Sequence, residues 1–150
     1  MLQMPLQPPP LDADGNVVPH DHDGILADDI LIRRISEQHI LGPEGSRRIS
    51  TMAFQGSSDG TGMSVDIEKL IREAMLDPAT FVTTEEYFCS VQFKTAQIRA
   101  EALQVGYYPL VENPYHGAVW GIGSKGQRNR LRRMAQWFVE GIGIALNDAA

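Results

Sequence analysis

The sequence predicts a single α+β domain, in which a mixed or antiparallel sheet of about five strands is packed by about three helices. Its 150 residues are 43% hydrophobic and 21% charged, which is typical of one domain with one core. Strand and helix patterns do not alternate strictly along the chain, so a doubly wound parallel sheet is excluded. No internal repeat at the periods of solenoids or propellers is present.

Residues 1–28 differ in composition from the rest of the chain. The first 30 residues contain five prolines and six of the 19 acidic residues but no Lys or Arg, whereas residues 31–150 contain 13 acidic and 13 basic residues. Such a segment buries too little apolar surface to offset its ordering entropy. Residues 1–28 are therefore predicted to be disordered or to lie as a strap over a surface, and residues 29–150 to form the domain.

In the first half of the domain, two segments rich in β-branched residues, 30–35 and 47–54, are predicted to form strands. Residues 56–62 have no apolar side chain and are predicted to form an exposed loop. A third short strand is predicted for residues 63–65, with Asp66 as the N-cap of a helix. That helix is indicated by apolar residues at helical spacing, namely Ile67, Leu70, Ile71, Ala74 and Met75.

In the second half of the domain, the alternation within residues 81–94 predicts a strand, and the helix-forming residues in 95–104 predict a helix. Residues 107–111 and 117–120 are predicted to be two further strands separated by a turn. The final element is predicted to be a helix over residues 127–146. Its apolar face consists of Leu131, Met134, Ala135, Phe138, Val139 and Ile142.

The composition argues against several kinds of stabilising or targeting feature. The single cysteine, Cys89, cannot form an intramolecular disulfide, and its apolar surroundings indicate a small buried hydrophobe rather than a catalytic thiolate. Residues 20–23, His-Asp-His-Asp, offer metal ligands only within the tail, where the cost of ordering weakens binding, so neither a metal nor a cofactor is predicted. No apolar run of about 18 residues and no signal-peptide pattern is present, so a cytoplasmic protein without membrane contact is expected.

A glycine-rich segment between a predicted strand and the last predicted helix has the pattern G-x-G-x-x-G. A dinucleotide-binding fold needs a further strand and an acidic residue about 20 positions later, and too little chain follows the segment to supply them. One interpretation is an anion site at a helix N-terminus; the alternative is a turn with solvated basic residues. The anion site would consist of Gly121, Gly123, Lys125, Gly126 and Arg128.

His116 is the candidate general acid or base, because it begins the strand that leads to the glycine-rich turn. The alternative is a structural histidine that only makes hydrogen bonds within the fold. No partner residues at metal-ligand spacing accompany it in the sequence.

Five segments carry a recurring pattern, namely residues 31–35, 48–54, 62–66, 113–121 and 132–137. They include an arginine-containing strand, then R-x-S-x-x-A-F, M-S-V and N-P-x-H-x-x-V-x-G in that order. Together they resemble a group of short, uncharacterised bacterial proteins with no established activity. The resemblance implies a bacterial origin and one intact domain, and it transfers no catalytic role.

The polar pieces of that pattern suggest a cleft in which Arg48, His116 and the turn at Lys125 converge on an anion. The leading hypothesis is a protein that binds a nucleotide-like or nucleic-acid ligand there. If it is an enzyme, phosphodiester cleavage or nucleotidyl-type transfer fits best, with His116 as acid or base and Arg48 among the neutralising cations. The alternative is a non-catalytic interaction module, such as an immunity-type or accessory subunit, that docks on a protein partner through its acidic tail.

Overall fold

A computed structural model describes residues 6–146 and shows an α+β fold, as the sequence predicts. Nine strands and four α-helices are present in this range, more than the five or so strands and three or so helices predicted, because several strands are only two to four residues long. The strands are β1 (Ile30–Ile35), β2 (Ile40–Leu41), β3 (Arg47–Ile49), β4 (Met63–Ile67), β5 (Cys89–Lys94), β6 (Gln104–Tyr107), β7 (His116–Trp120), β8 (Gln136–Val139) and β9 (Ile144–Ala145). The helices are α1 (Glu68–Glu73), α2 (Pro78–Val82), α3 (Thr95–Arg99) and α4 (Lys125–Met134), and two 3-10 turns lie at Glu37–His39 and Thr51–Phe54.

The strands form two sheets. The larger has six strands in the order β6-β7-β4-β1-β5-β8, and all of its neighbouring strands are antiparallel. The smaller has three strands in the order β2-β3-β9, of which β3 and β9 are parallel. Strand β1 therefore lies inside the larger sheet, between β4 and β5.

Alternation along β1 separates the two faces of the larger sheet, because successive side chains of a strand point to opposite sides. Leu31 and Ile35 lie in the main core, together with Ala53 and Phe54 of the second 3-10 turn and Leu131 of α4. We call this side the core face. On the opposite side, the open face, a smaller apolar cluster is formed by Ile32 with residues of α1 and α2, namely Ile71 and Val82.

Residues 20–22 of the acidic tail lie along the outer edge of β6, an arrangement like the strap alternative of the sequence analysis. The backbone N–H of His22 donates to the carbonyl of Val105 at 2.8 Å, and the N–H of Val105 donates to the carboxylate of Asp21 at 3.0 Å. The N–H of Tyr107 donates to His20 Nε2 at 3.1 Å. These bonds satisfy backbone groups that an edge strand would otherwise leave open. Residues 1–5 of the predicted tail lie outside the described range.

Ile25 anchors this strap, because it is only 1% exposed and belongs to the main core. We expect Ile25→Ala to lower the free energy of unfolding by about 2–4 kcal/mol, since the truncation leaves a cavity. The neighbouring Leu26→Ala serves as a control, because Leu26 is 53% exposed and its truncation is expected to cost under about 0.5 kcal/mol. Urea unfolding of both variants measures the difference, and equal small losses would show that the strap adds nothing to stability.

The C-terminal helix predicted over residues 127–146 is wrong beyond Met134. At Ala135 the backbone becomes extended, with ψ of 144°, and the next four residues form β8 beside β5. Ile142, assigned to the apolar face of that helix, is 82% exposed. Strand pairing with β5 therefore replaces the last turns of the predicted helix.

Several other element boundaries differ from the prediction. The strand predicted for residues 47–54 ends at Ile49 and continues as the 3-10 turn. The strand predicted for residues 81–94 begins only at Cys89, because its first residues belong to α2. The helix predicted for residues 95–104 ends at Arg99, and β6 takes its place from Gln104. Asp66 is not a helix N-cap but a residue of β4, and the N-cap of α1 is Ile67.

No helix in residues 6–146 has both the length and the apolar character needed to cross a bilayer. In the same range, no three His, Cys, Asp or Glu side chains are grouped closely enough to hold a metal ion.

Candidate functional site

The candidate site lies where β1 and β4 separate within the larger sheet. These strands are in register only at Leu31 with Ile67 and Ile32 with Asp66. Beyond those pairs the side chain of Arg33 occupies the gap. Its Nη1 donates to the carbonyl of Ser64 at 3.1 Å, and its Nε donates to the carbonyl of Ala53 at 2.8 Å. A guanidinium therefore replaces part of the backbone pairing between two neighbouring strands.

Two cavities border this gap, and Arg33 and Ser64 line both of them. The larger cavity, of about 510 Å³, lies on the open face and is walled by side chains of α2, β4, β7 and the loop before β7. The smaller cavity, of about 260 Å³, lies beside the first 3-10 turn and the loop of residues 55–62. Both cavities are lined by polar as well as apolar residues.

An ion pair forms the floor of the larger cavity. Arg34 donates to Asp66 through Nε at 2.8 Å and through Nη2 at 3.1 Å, and Asn113 Nδ2 donates to the same carboxylate at 2.8 Å. The Asp66 side chain is only 4% exposed, so its carboxylate takes its hydrogen bonds from these partners rather than from bulk water. The guanidinium of Arg34 also lies 5.6 Å from the ring centroid of Phe81, in cation-π geometry.

His116 stands beside this ion pair, because β4 and β7 place it directly opposite Asp66. Its Nδ1 lies 2.7 Å from the carbonyl oxygen of Tyr108, which can only accept, so Nδ1 carries the proton. The other ring nitrogen, Nε2, is then an unprotonated acceptor. Burial lowers the pKa of His116 below its ordinary value of 6.5, and the nearby positive charge of Arg34 lowers it further. The hydrogen bond to Tyr108 and the charges of Asp66 and Glu112 raise this pKa but do not cancel the effect of burial. The imidazole is therefore neutral at pH 7.

The charges around the larger cavity are balanced. Arg33 and Arg34 contribute two positive charges, and Asp66 and Glu112 contribute two negative charges. Phe81, Tyr87 and Leu110 add apolar and aromatic surface to the wall. A balanced, partly aromatic cavity of this size suits one small molecule better than an extended polyanion.

In the smaller cavity, a positive charge is accompanied by neutral groups. His39 Nδ1 accepts a hydrogen bond from the backbone N–H of Ser36 at 3.1 Å, so its Nε2 carries the proton in the neutral ring. Burial, together with the positive charge of Arg33, lowers the pKa of His39 to about 4. His39 is consequently a neutral donor over the physiological pH range.

The structure places His116 in the larger cavity but does not bring the other predicted site residues to it. Arg48 lies exposed on β3 of the smaller sheet and lines neither cavity. Gly121 follows the far end of β7, five residues from His116, a separation of roughly 16 Å along an extended strand. Neither Arg48 nor Lys125 lines the cavity that His116 lines.

The glycine-rich turn does precede a helix, as the sequence predicts, and its polar groups are used within the turn. Ser124 is the N-cap of α4, and its hydroxyl accepts from the N–H of Gln127 at 3.1 Å. The side chain of Gln127 in turn accepts from the N–H of Gly123 at 2.9 Å. Gly126 and Lys125 form the first turn of α4, while Arg128 lies one turn further along. None of these residues lines either of the two cavities.

Sequence reasoning missed Arg33, Arg34, Asp66 and Asn113. One signal was available: two consecutive arginines inside a β-branched strand must point to opposite faces. Another was the alternation of Met63, Val65 and Ile67 with polar residues, which extends β4 through Asp66. The partners themselves are distant in sequence, since Arg34 and Asp66 are 32 positions apart.

No family model matches the sequence, and neither a curated protein nor a solved structure is similar enough to it to count as a match. The resemblance to short bacterial proteins stays a prediction. Functional inference for this chain therefore rests on the geometry of the two cavities.

Proposed function

We propose that this protein binds a small, nucleotide-like molecule in the larger cavity, where His116 accepts a hydrogen bond or a proton from it. The observation that carries the proposal is the bond between His116 Nδ1 and the Tyr108 carbonyl, which fixes the tautomer and leaves Nε2 as a base. A neutral histidine beside an arginine is a combination used in acid-base chemistry on anionic substrates.

The shape and charge of the cavity support a small ligand in preference to nucleic acid. Its volume of about 510 Å³ falls within the range of small-molecule sites. Phe81 and Tyr87 offer aromatic surface to a planar ring, and Asp66 is already held by Arg34 and Asn113. Asp66 consequently acts as a positioning residue for Arg34.

The alternative of a protein interaction module has less support. Asp21 of the acidic tail pairs with Arg99 of the same chain at 3.0 Å, and the strap is held on β6. The tail therefore contributes at least part of its charge to internal contacts.

Calorimetric titration of the full chain with adenosine monophosphate tests the proposal. We expect His116→Gln to weaken binding about five- to tenfold, because glutamine does not reproduce the acceptor held by the Tyr108 bond. Since burial lowers the pKa of His116 below 6.5, wild-type affinity for adenosine, which carries no phosphate group, is expected to be constant above pH 6.5 and to fall at lower pH, when Nε2 gains a proton.

Arg48→Gln is the matched control, since the sequence analysis assigned Arg48 to the site and Arg48 lines neither cavity. It is expected to leave the affinity unchanged. Loss of binding in Arg48→Gln together with normal binding in His116→Gln would move the site to the smaller sheet and refute the proposal.

A further inference from the structure

Arg33 is a partly buried cation without a carboxylate partner in the described part of the chain. Its two hydrogen bonds go to the backbone carbonyls of Ala53 and Ser64, and none of the ion pairs within residues 6–146 includes it. Burial lowers the pKa of Arg33 to about 10, with Tyr87 and Asp66 acting in the opposite direction. A charge placed in this way is stabilised by any anion that reaches its remaining N–H groups.

The smaller cavity gives an anion access to Arg33. Of the residues that line this cavity within the described range, none is acidic. Its lining includes two residues that can donate hydrogen bonds, Arg33 and His39, and the loop residue Ser58. The loop carboxylate of Asp59 does not line the cavity; the Thr61 hydroxyl donates to it at 2.7 Å, and the Ser57 side chain also hydrogen-bonds to it.

The donors suit a tetrahedral oxyanion. Arg33 belongs to β1, His39 to the first 3-10 turn and Ser58 to the loop, so three separate parts of the chain contribute hydrogen-bonding residues to the cavity. The volume of about 260 Å³ exceeds by far the roughly 30 Å³ share of one water molecule and accommodates a phosphoryl group. A planar carboxylate would use fewer of these residues.

We infer that the smaller cavity binds the phosphoryl group of a phosphomonoester whose organic part occupies the larger cavity. The link is Arg33 with Ser64, because these residues line both cavities. The inference deepens the proposed function and rests on it for the organic part alone. The phosphoryl site itself follows from Arg33, His39 and the cavity they share.

The experiment compares three probes on the full chain by calorimetry, namely inorganic phosphate, adenosine and adenosine monophosphate. We expect phosphate to bind and to compete with adenosine monophosphate, and the monophosphate to bind at least tenfold more tightly than either fragment. Arg33→Gln is expected to weaken phosphate and monophosphate at least tenfold and adenosine little. Arg48→Gln is the matched arginine control and is expected to change none of the three affinities.

Because Arg33 also joins β1 to the chain around Ala53 and Ser64, its replacement can unfold the protein. Two further measurements avoid this difficulty. His39→Ala removes one donor and is expected to weaken phosphate about three- to tenfold. In the wild type, phosphate is expected to shift the nuclear magnetic resonance signal of His39 Nε2–H and to leave that of His116 in place.

The outcomes separate the two proposals. The phosphoryl site is overturned if phosphate does not bind to the wild type, or if it binds equally well to the wild type and to a folded Arg33→Gln variant. In that case, adenosine binding that depends on His116 would still support the proposed function. If phosphate binding depends on Arg33 but adenosine monophosphate binds no more tightly than phosphate, the two cavities do not share one ligand. The ligand is then free phosphate, and the proposed function loses its support.

Discussion

Asp66→Ala is expected to lower the free energy of unfolding by about 3–5 kcal/mol, one of the two largest effects we foresee for a single substitution. The carboxylate is buried and accepts from Arg34 and Asn113. Removing it leaves a guanidinium that is 23% exposed without its counter-charge, and an amide without its acceptor. Equilibrium unfolding in urea measures the loss.

Glu68→Ala is the control for this experiment. Glu68 accepts from Arg72 at 2.9 Å across one turn of α1, but the Arg72 side chain is 59% exposed. Such a surface pair contributes only about 0.3–0.5 kcal/mol. Comparable losses in the two variants would mean that burial of the Asp66 pair does not govern its contribution.

Phe54→Ala is expected to cost about 3–5 kcal/mol, because truncation of a buried aromatic ring leaves a large cavity. Phe54 is fully buried and contacts Phe93 edge-on, with ring centroids 5.9 Å apart. It also fixes the 3-10 turn whose Ala53 carbonyl receives Arg33. Thermal and urea unfolding measure the change.

Phe138→Ala provides the comparison, because the sequence placed Phe138 in the core through the wrong helix. The structure puts it on β8, partly buried at the margin of the small cluster on the open face. Its truncation is expected to cost less than half as much as that of Phe54, in proportion to the smaller area removed from water. A loss from Phe138→Ala that matches that of Phe54→Ala would show that the open face is packed as tightly as the core.

Elements with strong local patterns were predictable from the sequence. The bounds of β1 are those predicted, because its β-branched residues favour a strand whatever their partners. The strand predicted at Met63 is confirmed, and only its end was misplaced, because aspartate is also a common helix N-cap.

The C-terminal region could not be assigned from local patterns. Residues 131–142 repeat apolar side chains at helical spacing, whereas Trp137, Phe138 and Val139 also favour a strand. Pairing of Val91 with Trp137 decides between these possibilities, and those residues are 46 positions apart. Local propensity is a weak guide where such a distant partner satisfies the backbone.

The candidate site was predictable only in part. His116 could be identified because histidines are few and its turn is marked by Asn113 and Pro114. The arginines that accompany it depend on the order of the strands, which places β1 beside β4 and β4 beside β7. The strap shows the same limit, because overall acidity does not reveal that His20 and Asp21 accept from the backbone of β6.

The strand order also governs when this protein can fold during synthesis on the ribosome. In the six-stranded sheet as described, only β6 and β7 are neighbours both in space and in sequence. Strand β1 gains its second neighbour only after Lys94 has been made, and the strap has no edge to bind until Tyr107 has followed. Such distant pairing slows folding. The edge of β1 that β5 covers consequently stays open until Lys94 has been made, and such an unpaired edge makes the nascent chain prone to aggregation.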